Sequence, residues 1–203
     1  TELLPDSSWG LQQLGTVYHT IGDRARARAN YERAIALGPT PPAYSNLGSL
    51  LYEEGDYAEA ARAFERALEL APASDIRHRN LGDAYTRLGR RDDAARAYTR
   101  AVELADRALQ VNPADAETMG RLALYQAKLG RAGAAGRNAE KAIAMAPTSG
   151  RVQYYAAAAW ALSGDRQRAL AAIRAAVSNG FSATRIREDD DLGQAAIANQ
   201  LGD

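Results

Sequence analysis

The chain has 203 residues, of which 46% are hydrophobic and 25% charged, a composition typical of ordinary soluble proteins with a sizeable core. Its 25 Lys and Arg residues balance 25 Asp and Glu residues, so no overall field would attract nucleic acid or an acidic membrane surface. The chain has no Cys, which excludes disulfides and thiolate chemistry, and no apolar run approaches the roughly 20 residues of a membrane span.

A helical hairpin is predicted for residues 8–40. Apolar residues recur at helical spacing, Gly22-Asp23 interrupts them, a second apolar set follows, and Pro39 ends the pattern. Asp6 or Ser7 is placed to accept hydrogen bonds at the start of the first helix. The chain begins with Thr1 rather than Met, so we expect it to be a fragment of a longer protein.

The same pattern recurs along the rest of the chain. Residues 41–74 repeat it at an offset of 33, and residues 75–115, 116–149 and 150–181 repeat it with changes. In the third copy the proline is delayed to Pro113, and residues 101–104 and 108–111 are near duplicates seven positions apart. We therefore expect the second helix of this copy to be about two turns longer than its equivalents. The tail, residues 182–203, departs from the pattern, and we expect it to cap the last copy.

Small and aromatic residues alternate at fixed places in the first three copies. Gly15, Gly48 and Gly82 permit two helix backbones to approach closely, while the aromatic residues Tyr31, Phe64 and Tyr98 fill the space between successive hairpins. The fourth copy instead carries glycines inside its second helix, at positions 133 and 136, so we expect the softest segment there.

The order Leu-Gly, Tyr or Leu, Ala, Phe or Tyr, Ala and Pro, seen in residues 47–72, resembles the tetratricopeptide repeat. The resemblance implies an all-α fold: a right-handed α-solenoid of about five helical hairpins with a C-terminal capping helix, in a single domain over residues 1–203. It also implies a noncatalytic protein–protein interaction scaffold that binds a peptide or a partner domain in its concave groove.

A narrower resemblance covers residues 75–195. The segments 101–113, 122–130 and 179–192 look like the C-terminal repeat segment of bacterial multidomain signalling proteins, such as membrane-linked serine/threonine kinases and winged-helix regulators. The resemblance implies a signalling module. No kinase or DNA-binding motif is present, so only the repeat module is carried over. A cytoplasmic location is favoured, or an extracytoplasmic one if the parent protein is membrane-anchored.

In the tetratricopeptide family the first helix of each hairpin lines the groove. The residues that this implies as partner-binding are Gln12, Thr16, Asn46, Ser49, Tyr52, Arg79, Asn80, Asp83, Arg87, Arg121, Lys128, Arg151 and Tyr154. Asn46 and Asn80 both stand two residues before the hairpin glycine, where asparagine amides pair with an extended peptide backbone in peptide-binding members. The alternative is that these asparagines are simply soluble residues. Gln12 and Thr16 replace the Lys and Asn that a carboxylate clamp needs, which disfavours that class.

Five of these groove residues are cations, at positions 79, 87, 121, 128 and 151, against Asp83 and Glu117. They predict a locally positive groove that fits an acidic peptide or partner. The alternative is a solvated face whose charges pair along and between helices.

We expect no catalytic residues, no metal and no cofactor. His19 and His78 lack a second ligand at metal-binding spacing. Asp189-Asp190-Asp191 lacks the ligand spacing of a calcium loop, so we expect a solvated acidic turn there. Two alternatives to the scaffold remain open. One is a self-association module, a homodimer through the exposed edge of the first repeat or the apolar helix of the fifth. The other is a regulatory appendage of an enzyme in the parent chain.

Overall fold

The computed structural model describes residues 7–192, which form eleven α-helices and no strand. The helices are α1 (Ser8–Thr20), α2 (Arg24–Leu37), α3 (Pro41–Glu53), α4 (Tyr57–Leu70), α5 (Asp75–Arg87), α6 (Arg91–Val111), α7 (Ala116–Lys128), α8 (Ala132–Met145), α9 (Gly150–Leu162), α10 (Arg166–Ser178) and α11 (Ala183–Arg187). The first ten form five successive helical hairpins. The fold is therefore the predicted all-α solenoid type.

The chain divides into two compact units, residues 1–97 and 98–203. The described part of the first unit holds α1 to α5 and the start of α6. The described part of the second unit holds the rest of α6 and α7 to α11. Within each unit the two helices of a hairpin pack together, and α4 packs against α5 as α8 packs against α9.

The hairpin turns follow from the Gly-Asp dipeptides. Gly22 and Gly55 both adopt a φ of 83°, a conformation that L side chains rarely adopt. The aspartate that follows each glycine caps the next helix: Asp23 accepts from the Arg26 N–H and Asp56 from the Glu59 N–H. At the chain start, Ser7 accepts from the Gly10 N–H at 3.0 Å, so Ser7 is a cap. Asp6 lies outside the described residues.

The close approach predicted for the first two hairpins is present. A Cβ atom added at Gly15 would lie 2.6 Å from Cδ1 of Tyr31, and one added at Gly48 would lie 2.7 Å from Cε1 of Phe64. Both aromatic rings are almost fully buried. A side chain at either glycine would therefore push the two helices of its hairpin apart.

The third hairpin contains the predicted insertion. Its second helix, α6, has 21 residues, whereas α4 has 14, so the prediction of about two additional turns is confirmed. Val111, at the end of α6, is 88% exposed.

The second helix of the fourth hairpin, α8, has sequence features that weaken a helix. Helix α8 begins after Arg131, whose side chain makes no capping hydrogen bond, where α10 begins after the capping residue Asp165. Gly133 and Gly136 lie inside α8, as predicted. The softness of this segment stays a prediction.

The fifth hairpin and the tail share one core. Ala156 to Ala159 of α9 are fully buried in the second unit, so this apolar helix is part of the core rather than a surface. Ile186 of α11 and Leu192 are 1% exposed in the same core, which agrees with a capping tail. The rest of the expected capping tail, residues 193–203, falls outside the described residues.

A partly buried hydrogen bond joins helix α5 to α4. The Tyr85 hydroxyl donates to Oε1 of Glu65 at 2.5 Å, and the Tyr85 side chain is 9% exposed. Burial, reinforced by the hydrogen bond to the Glu65 carboxylate, raises the pKa of Tyr85 to about 12.

Alanine substitutions at two helical glycines should have opposite effects. Gly48→Ala should lower the free energy of unfolding by about 1 to 3 kcal/mol, because its methyl group overlaps the Phe64 ring. Gly133→Ala should raise it by about 0.5 to 1 kcal/mol, since the nearest atom, Nη1 of Arg137, is 3.7 Å away and alanine favours the helix. Urea unfolding followed by circular dichroism measures both, and equal effects of the two variants would contradict the packing described.

The Tyr85 hydrogen bond should make the wild type more stable than Tyr85→Phe by an amount that depends on pH. The folded state holds the Tyr85 proton more tightly than the unfolded state does, so this contribution is fully present below about pH 10 and is lost as the pH rises to about 12. Comparison of the wild type with Tyr85→Phe at each pH removes the effect of the other tyrosines. The difference in unfolding free energy should shrink by about 2 to 3 kcal/mol across this window, and a constant difference would refute the assignment.

Candidate functional site

The first unit contains a cleft between the first helices of its second and third hairpins. The cleft has a volume of about 220 Å³. Its lining residues come from α3, α4 and α5: Ser49, Tyr52, Glu53, Phe64, Ile76, Arg79, Asn80 and Asp83. On α3 and on α5 they are spaced by three or four residues, which places them on one side of each helix. Five of the predicted groove residues, at positions 49, 52, 79, 80 and 83, thus meet at one place.

Two apolar residues line the cleft and were not predicted as ligand contacts. Phe64, which the sequence assigned to hairpin packing, is one of them, although it is only 2% exposed. Ile76 is 44% exposed in the first turn of α5. An isoleucine on the inner side of a first helix was the signal that could have indicated it.

The charged groups of the cleft are paired within the first unit. Nη1 of Arg79 lies 2.8 Å from Oδ2 of Asp83, one turn along α5, and the Asp83 side chain is 12% exposed. Oε2 of Glu53 lies 2.8 Å from Nε2 of His19 on α1. The described lining of the cleft therefore carries no excess positive charge of its own.

The two asparagines of the predicted pair have different surroundings. Asn46 lies outside the cleft, and its amide donates to Oγ1 of Thr16 at 3.3 Å. Asn80 lines the cleft, and no hydrogen bond of its side-chain amide occurs among residues 7–192. Asn80 thus has both a donor and an acceptor to offer to a ligand.

Gln12 and Thr16 of the first repeat, and Arg87 of the third, make contacts within the first unit. The Thr16 hydroxyl donates to the carbonyl oxygen of Gln12 at 3.1 Å, and the Thr40 hydroxyl to Oε1 of Gln12 at 3.3 Å. Arg87, at the end of α5, stands 4.6 Å from the ring centroid of Tyr57, outside the cleft lining. These three side chains therefore contact other residues of the first unit and do not line the cleft.

The remaining predicted residues lie in the second unit, on α7 and α9, which pack together. Nη1 of Arg151 lies 3.3 Å from Oε2 of Glu117. Nη2 of Arg121 donates to the Thr118 hydroxyl at 2.7 Å. That hydroxyl donates in turn to Asp115 at 2.6 Å. Burial disfavours the charged form of Asp115, but the hydrogen bonds from Thr118 outweigh it and lower its pKa.

Lys128 and Tyr154 contact the tail. Nζ of Lys128 lies 2.7 Å from Oδ1 of Asp191, and the Tyr154 hydroxyl donates to Oδ2 of Asp189 at 2.5 Å. The sequence had assigned this acidic run to a solvated turn, which is wrong for Asp189 and Asp191. No local signal could have corrected it, because Lys128 and Asp191 are 63 positions apart.

Among residues 7–192, no group of three or more His, Cys, Asp or Glu side chains is arranged to hold a metal ion. Within the same residues, none of the helices combines the length and the apolar character needed to cross a membrane.

Comparison with known proteins finds tetratricopeptide repeats in the first half of the chain. Models of the tetratricopeptide repeat match residues 10–40, 41–74 and 77–108. No curated protein sequence matches the chain.

Several solved structures have a similar fold. TTC0263, a thermophilic TPR protein of Thermus thermophilus, is 22% identical with a TM-score of 0.65, over 91% of this chain and 98% of its own. YrrB, described as a TPR protein with an unusual peptide-binding site, is 20% identical with a TM-score of 0.51, over 88% and 89%. MamA is 21% identical with a TM-score of 0.50, over 85% and 91%. At these identities the likeness concerns the fold.

Proposed function

We propose that the tetratricopeptide repeats of this chain form a noncatalytic scaffold, which binds an extended peptide segment of a partner protein in the cleft between α3 and α5. The single observation that carries this proposal is the Asn80 amide. It lies in a cleft that Phe64 and Ile76 also line, and its side chain has no protein hydrogen bond among the described residues. YrrB, with a peptide-binding site on a similar fold, is consistent with the proposal.

The arrangement suits a peptide backbone with one apolar side chain. An asparagine amide can donate to a backbone carbonyl and accept from a backbone N–H, so one residue of an extended segment satisfies both of its polar groups. Ile76 and the edge of Phe64 offer an apolar surface beside the amide. Because Arg79 and Glu53 are already paired within the first unit, we assign the cleft an apolar rather than an acidic preference.

The wider context is a proposal from the sequence alone. A role as the C-terminal module of a bacterial signalling protein, or as the regulatory appendage of an enzyme in the parent chain, would use the same binding surface.

Homodimer formation is a second candidate, favoured by the exposed side of α1. Val17 is 56% exposed, whereas its equivalents in the next two hairpins, Leu50 and Ala84, are fully buried. Trp9 and Ile21 are also exposed, at 57% and 68%. At the position of Val17, α1 therefore leaves exposed a residue that α3 and α5 bury.

Peptide binding can be tested with a displayed library of random 12-residue peptides, panned against the purified chain. For a selected peptide, Asn46→Ala combined with Asn80→Ala should weaken binding by about 1 to 3 kcal/mol, with helix content unchanged. Asn80→Ala alone should account for most of this loss. Asn30→Ala on α2 is the matched control, because Asn30 does not line the cleft. Isothermal calorimetry gives the affinities, and a peptide whose affinity Asn80→Ala leaves unaltered would remove the cleft from the proposal.

Self-association can be tested by light scattering over a range of protein concentrations. The mass should rise toward that of a dimer, and Val17→Glu should restore the monomer because it places a charge on the exposed side of α1. Val111→Glu, at a more exposed apolar residue elsewhere, should leave the rise unchanged. A constant monomer mass for the wild type would contradict this candidate.

A further inference from the structure

Two carboxylates of the tail contact helices α7 and α9 of the second unit. After α11 the chain turns at residues 188–192. Oδ1 of Asp191 then lies 2.7 Å from Nζ of Lys128, and Oδ2 of Asp189 accepts from the Tyr154 hydroxyl at 2.5 Å. Lys128 and Tyr154 are both residues that the sequence analysis had placed on the partner-binding surface.

The two receiving groups form a preorganised site for carboxylates. The Lys128 side chain is only 8% exposed, and its ammonium lies 5.5 Å from the ring centroid of Tyr98. A cation held this far from water needs an anion beside it. Tyr154 is fixed by stacking on Phe181, with ring centroids 4.6 Å apart, so its hydroxyl has a defined direction.

The conformation of the turn directs its two carboxylates to Lys128 and Tyr154. Oδ1 of Asp189 accepts from the N–H groups of Asp191 and Leu192 at 2.9 and 3.2 Å, which closes the turn on itself. The other oxygen of Asp189 is directed to Tyr154, while Asp191 reaches Lys128. Two carboxylates separated by two positions thus occupy two separate receiving groups.

Covering the core does not require these carboxylates. Ile186 and Leu192, each 1% exposed, flank the turn and close the apolar core by themselves. An ion pair with a nearly buried lysine carries a desolvation cost that a pair of apolar residues avoids, so shielding alone would favour apolar side chains. The pairing is therefore better explained by recognition of acid groups.

We propose that Lys128 and Tyr154 form a second peptide-binding site, specific for an acidic segment with two carboxylates two residues apart. Residues 188–192 are its resident ligand, and the acidic segment of a partner protein displaces them. The site lies within the second unit and uses none of the residues of the cleft between α3 and α5, so its failure and that of the proposed function can be told apart.

A tethered ligand has a predictable effect on affinity. Its effective concentration is in the millimolar range or above, so a free peptide of the same sequence must compete against the tail and should bind the wild type weakly. Removal of the two tail carboxylates should weaken this competition and raise the affinity for the free peptide.

The test uses a fluorescein-labelled peptide with the sequence of residues 183–192 and measures its anisotropy on four forms of the full chain. Asp189→Asn with Asp191→Asn should bind it at least ten times more tightly than the wild type. Addition of Lys128→Met to that variant should abolish the gain. Addition of Lys141→Met, at the only other lysine of the chain, should preserve it. The same peptide with asparagines at the positions of 189 and 191 should not bind.

Three outcomes would overturn the proposal. If the double asparagine variant, shown by thermal melting to be folded, binds the peptide no better than the wild type, the turn is a structural cap only. Binding that survives Lys128→Met lies elsewhere. A wild-type dimer that the double asparagine variant abolishes would assign the contact to exchange of tails between two copies.

Discussion

Contact between a glycine backbone and an aromatic ring is the constraint on which the first two hairpins depend. With no side chain at Gly15 or Gly48, the rings of Tyr31 and Phe64 lie directly against the backbone of the preceding helix. That close approach fixes which side of each first helix is buried within its hairpin. The ring of Phe64 also lines the cleft together with Asn80 and Ile76, so the same packing helps to form the candidate binding site.

Close packing shapes the surface of the second unit in a different way. Ala156 to Ala159 of helix α9 are fully buried, and α7 and α9 carry the polar side chains of Lys128 and Tyr154. These two side chains meet the acid groups of the tail. The first unit thus offers an uncommitted amide, whereas the second holds an acidic segment of its own.

The charge of the predicted binding surface depends on local ion pairs rather than on the number of its cations. The sequence count indicated five cations on the inner surface, but Arg79, Lys128 and Arg151 each lie beside a carboxylate of their own unit. Exposed pairs such as Arg151 and Glu117 contribute little stability, about 0 to 1 kcal/mol. The nearly buried Lys128 differs, because loss of its partner would leave an uncompensated charge in the protein.

The sequence by itself determined the hairpins, their turns and caps, and the seven-residue extension of α6, because these depend on spacing and on hydrogen bonds between residues a few positions apart. It also determined which residues lie on the first helices. Only the tertiary structure decided which of them are available: among residues 7–192, Asn46 is bonded to Thr16, the Asn80 amide has no hydrogen bond, and Lys128 is held by Asp191. The physical reason is that availability depends on contacts between distant positions, such as Lys128 and Asp191, and no local pattern encodes them.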